Sequence, residues 1–142
     1  MHSQLVLLFG WFLILGTCLL AWCLGEGAER RGAVLWLAMS LIIALVALFP
    51  DKAMQRSSYL LIDGLFGAGL LVLALRYATA WLGVAVLLQA AQFSLHAYYL
   101  VAGKPYNDLY ATVNNLVSLG VLVSLLVGTV LAWYRRRRAQ AK

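Results

Sequence analysis

Two ionisable side chains, Asp63 and His96, stand inside otherwise apolar runs of the sequence, and chemistry is to be sought there first. A charge in hydrocarbon is costly and normally faces a protein partner or a water-filled pocket. Gln89, Gln92 and His96 follow one another at i, i+3 and i+7, which makes a polar stripe on one helix. Asn114 and Asn115 add two amides inside another apolar run. With Asp63 as its orienting partner, His96 could ligate a chlorin or hold a quinone carbonyl. One His and one Asp are too few for a transition-metal site, which takes three or four ligands. The hydroxyls Ser58, Ser94, Thr112 and Ser118 have no nucleophile motif around them, which speaks against an enzyme. The plainer alternative is that these polar groups bond across helices only to satisfy one another.

The elements that must position these residues follow from composition. Of 142 residues, 64% are hydrophobic and 11% charged, against roughly 25% charged in a soluble domain. The chain therefore reads as an all-α integral membrane protein. Residues 1–142 make a single transmembrane helical domain with no room for a soluble one. Apolar runs predict five spans, at 5–24, 33–49, 58–75, 80–101 and 109–133. The first is preceded by a leader without Lys or Arg, so it reads as an uncleaved span, and Cys18 and Cys23 within it read as free thiols. Residues 25–32 read as a turn, and Pro50 as the stop of the second span. Asp51, Lys52 and Arg56 read as a polar loop. Arg76 and the small residues around Thr79 mark a tight helical hairpin, and Arg135, Arg136, Arg137 and Arg138 close the fifth span.

Five spans put the termini on opposite sides. With the N-terminus outside and the C-terminus cytoplasmic, Arg30, Arg31, Arg76, Arg135, Arg136, Arg137, Arg138 and Lys142 are inside. Lys52, Arg56 and Lys104 are then outside, and eight against three obeys the positive-inside rule. The net charge of +6 has the same explanation: a tail of basic residues set against anionic headgroups, not a nucleic-acid surface. In this frame Asp63 and His96 each lie about 7 Å below the outer boundary, and Asn114 and Asn115 about 10 Å, at 1.5 Å per residue. Asp63, Gln92, His96, Asn114 and Asn115 are thus expected to share one layer, with the third, fourth and fifth helices packed together. Gly64, Gly67 and Ala68 would let a neighbouring helix approach closely. Helices one and two, with no charge expected in their interior, would supply mostly apolar packing or partner-facing surface.

Around Leu73-Ala74-Leu75-Arg76-Tyr77 and Trp81, with Asp63 before and Gln89, Gln92 and His96 after, the chain resembles small uncharacterised membrane proteins of alphaproteobacteria. The resemblance covers residues 58–101, with Ala78-Thr79-Ala80 where that group has Trp-Pro after the turn. It implies placement in a bacterial inner membrane. Short loops and plain Leu, Val and Ala spans predict a non-catalytic accessory subunit of a larger inner-membrane assembly, such as a respiratory or photosynthetic one, with protein partners or further copies of itself. The alternatives are a small oligomeric transporter cycling a proton on Asp63, and a quinone- or pigment-binding module using His96.

Overall fold

The structure, a computed structural model, describes the backbone of residues 2–141 and the side chains of residues 8–141. It is all-helical among the described residues: α1 His2–Leu24, α2 Gly27–Val46, α3 Lys52–Tyr77, α4 Ala80–Val101 and α5 Asp108–Gln140. Met1 and Lys142 lie outside the described residues.

Local chemistry explains where each helix starts, and in three places it differs from the sequence reading. Of residues 25–32, only Gly25 and Glu26 form the turn, and the rest are helical. Glu26 is the N-cap of α2, with its side chain accepting from the Glu29 amide while Glu29 Oε2 accepts from Glu26 N at 3.0 Å. This reciprocal box satisfies two of the free amides at a helix start, so Glu29, Arg30 and Arg31 become helical. Nor do Lys52 and Arg56 lie in a loop: Asp51 Oδ1 accepts from Ala53 N at 2.9 Å and starts α3 ahead of them. At the far end, α5 does not stop at Trp133 but carries the four arginines in helix. Arg136 Nη2 donates to Leu24 O at 2.8 Å, tying α5 to the end of α1.

The second helix ends before Pro50, at Val46, where the chain tightens through Leu48 N to Leu45 O and Phe49 N to Val46 O. Its loose carbonyls at Ala47 and Phe49 are collected by the buried Gln55 amide from α3. Between α3 and α4 only Ala78 and Thr79 intervene, with Ala78 in the left-handed region at φ 49° to reverse the chain.

The helices close into a ring in chain order. α2 packs between α1 and α3, α4 between α3 and α5, and α5 returns to α1, with a further approach of α2 to α5. α3 and α5 pack together through α4, as expected of helices three, four and five, with no close backbone approach of their own among the described residues. Small residues make the approaches close. Trp81 of α4 lies against Gly32 of α2 and Gly128 of α5, and a Cβ on either glycine would collide with the indole. The interior around it holds Cys18, Ala21, Ala33, Phe66, Leu70, Leu82, Ala85, Val121 and Leu125.

Outside, every helix shows large apolar side chains, among them Leu15, Leu45, Leu65, Leu87 and Leu116. Buried polar groups with an apolar exterior are the arrangement expected where lipid is the solvent. α3, α4 and α5 are long and apolar enough to cross a membrane. α1 contains the apolar helix Leu8–Leu24. In α2, beyond Glu29, Arg30, Arg31 and Gly32, fourteen residues remain (33–46), about 21 Å of helix against the ~30 Å of a hydrocarbon core.

Candidate functional site

α3 presents Asp63 to the α4 stripe, and the carboxylate is held from two directions. Asp63 Oδ2 meets His96 Nδ1 in a short contact, while Gln89 Nε2 donates to Asp63 Oδ1 at 3.2 Å. All three side chains are buried. The third member of the stripe turns the other way: Gln92 Nε2 donates to Asn114 Oδ1 at 2.9 Å and to Ser118 Oγ at 3.1 Å on α5. The stripe thus joins α3 to α5 through α4. Gly67 faces Gln89, where a Cβ would be in ordinary contact at 3.4 Å from Cγ, and Gly64 faces Phe93, where a Cβ would be slightly tight at 3.3 Å. Ala68 is exposed and lines a groove outside this contact instead of sitting in it.

Asn115 is not part of the layer. It is exposed, and among the described residues no hydrogen bond reaches its amide. Two members of the assembled cluster, Gln89 and Ser118, were signalled in sequence only as another stripe position and an isolated hydroxyl.

Above the pair lies an aromatic roof. Tyr106 and Tyr110 stack at 3.9 Å with rings 4° apart, and their centroids are 6.3 and 5.2 Å from the His96 ring. Asn107 Oδ1 accepts from both Tyr99 Oη and Tyr110 N, fixing the start of α5 against the end of α4. Arg56 reaches from α3 to close the roof, with its guanidinium 4.3 Å from the Tyr106 centroid and Nη1 donating to Lys104 O at 3.4 Å. In the same loop Lys104 Nζ donates to Tyr98 Oη at 2.7 Å, and this bond holds the ammonium's pKa above its usual value. Among the described residues no three His, Cys, Asp or Glu side chains cluster as metal ligands.

A second buried carboxylate, not anticipated in sequence, sits at the opposite end of the bundle. Glu29 is 1% exposed, and its Oε1 accepts from Trp81 Nε1 at 2.9 Å. α2 therefore does carry a buried acidic group, contrary to the expectation that helices one and two hold no buried charge. Phe66, Leu70, Leu82, Ala85, Val121 and Leu125 fill the interior between the two carboxylates. What the arrangement can do chemically is hold one proton between Asp63 and His96 under a closed roof, with amides from α4 and α5 around it. No family model, no curated protein and no solved structure matches the chain.

Proposed function

We propose that the protein is a non-catalytic accessory subunit of a larger bacterial inner-membrane assembly, crossing the bilayer five times with its N-terminus outside and its C-terminus cytoplasmic. The observation that carries this reading is Asn115. Inside the ring, polar groups of the layer pair with one another; on α5, Asn115 and Thr112 share an outward face with no hydrogen bond made by the Asn115 amide among the described residues. A free amide facing hydrocarbon costs several kcal/mol on the scale of about 4–8 for transfer to an apolar solvent. A partner helix that bonds it removes that cost, and helix contacts in membranes are built from such amides.

A photo-crosslinking side chain at position 115, in cells at native expression, tests the reading. Capture of a stoichiometric membrane partner supports it. Adducts to lipid alone, together with a monodisperse species of the protein's own mass in mild detergent, would overturn it.

Proton-coupled transport fits less well, because apolar side chains fill most of the interior between Asp63 and Glu29. A second reading has one observation in its favour: a groove of about 380 Å³ between α3 and α4, flanked by Gly64, Gly67 and Ala90, reaches Asp63 and Gln89. A quinone ring could enter there, on the Asp63 side and not over His96. Quinone in the organic extract of purified protein, lost in Asp63→Leu, would favour this reading over the first.

A further inference from the structure

A cavity of about 60 Å³ lies between α2, α3, α4 and α5, with Trp36, Ser40, Asp63, Gln89, Gln92 and Ser118 in its wall. Four of these already make hydrogen bonds: Asp63 with His96 and Gln89, and Gln92 with Ser118. The other side supplies unanswered groups. Trp36 Nε1 is buried and has no hydrogen-bond partner among the described residues, with its ring held edge-on to Phe66 at 5.2 Å. Among the described residues no hydrogen bond reaches the Ser40 hydroxyl or Gln89 Oε1, although Gln89 is only 1% exposed.

An indole N–H is a fixed donor, so it calls for an acceptor and repels a cation. Gln89 Oε1 is an acceptor and calls for a donor. Water is the smallest molecule that answers both. The volume admits one or two waters at about 30 Å³ each, and a buried water needs two to four polar partners. We propose that this cavity is a hydration site in which water accepts from Trp36 Nε1 and donates to Gln89 Oε1, with Ser40 as a third partner. Because Gln89 also donates to Asp63, the water adjoins the Asp63–His96 pair from the side of α2, opposite to the tyrosine roof in the sense that no roof residue lines the cavity.

Protein labelled with ¹⁵N at the tryptophan indoles and held in lipid nanodiscs gives the test, with the Trp36 resonance assigned by Trp36→Phe. Selective excitation of water should produce cross-relaxation to the Trp36 indole proton and none to that of Trp81, which donates to Glu29. Two variants read the same question without the resonance. Ser40→Ala leaves space for water, and Ser40→Val fills it; in a hydrated cavity the valine variant melts below the alanine variant. A silent Trp36 proton, or a valine variant that melts above the alanine one, would show a dry cavity and overturn the proposal.

Discussion

Replacing Asp63 by leucine removes the acceptor for two side chains of α4 at once. Gln89 Nε2 loses its 3.2 Å bond, and His96 loses the partner of its Nδ1. In a water-soluble core, leaving each donor buried and unpaired would cost about 1–3 kcal/mol, or about 2–6 for both. In a membrane the unfolded helices stay inserted and find other partners, so interhelical bonds are worth about 0.6 kcal/mol on average and about 1.7 at most. Two such bonds give an expected loss of about 1–3 kcal/mol. Asp63→Asn should lose less than about 1 kcal/mol, because its carbonyl still accepts from Gln89 and its amide can donate to an Nε2-protonated His96. Reversible unfolding in mixed micelles with increasing SDS measures both. A leucine variant within about 0.5 kcal/mol of the parent would refute the pairing as a source of stability. An asparagine variant as damaged as the leucine one would show that the shared proton, and not hydrogen-bond satisfaction, holds α3 to α4.

Glu29→Ala should destabilise by about 1–3 kcal/mol, since it strands the buried Trp81 N–H and opens the cap of α2; the same unfolding assay and the Trp81 indole resonance report it. Gly128→Ala should cost about 1–3 kcal/mol by overpacking, and near-ultraviolet circular dichroism should change because the Trp81 ring must move. Arg56→Gln should speed amide exchange across residues 102–107 while costing the bundle no more than about 1 kcal/mol, the scale of an exposed cation–π contact. A reporter fused after the C-terminal residue should be active only in its cytoplasmic form; periplasmic activity there would reverse the proposed orientation.

How far these sites could be read from sequence depends on helix geometry. Asp63 and His96 stood out because little else in their runs is polar, and a fixed rise per residue puts them at similar depth. At 100° per residue, His96 lies only about 20° from Gln89 on α4, whereas Gln92 is about 60° away. That rotation explains why Gln89 and His96 both turn to α3 while Gln92 turns to α5, and it was available in the spacing. The same rule separates Asn114 from Asn115 by about 100°, so the two could not both enter one narrow layer. Glu29 was not legible in this way. It belongs to a run of charges, Glu26, Glu29, Arg30 and Arg31, that reads as a solvated turn until Trp81, from a helix fifty residues later, reaches it.

That last contact also explains how the ring keeps its shape. α4 has no close backbone approach to α2 among the described residues, yet the Trp81 side chain crosses the interior, lies on Gly32 and bonds Glu29. Fifteen residues later on α4, about 22 Å along the axis, His96 bonds Asp63 of α3. Each end of α4 is therefore pinned by one buried carboxylate from a different helix, and between them most of the packing is apolar, with Gln89 and Gln92 reinforcing the His96 end. Apolar packing in lipid has little hydrophobic drive behind it and does not by itself choose a register. Two polar pins two-thirds of a bilayer apart do choose one, since a slip of α4 by a single residue would break both.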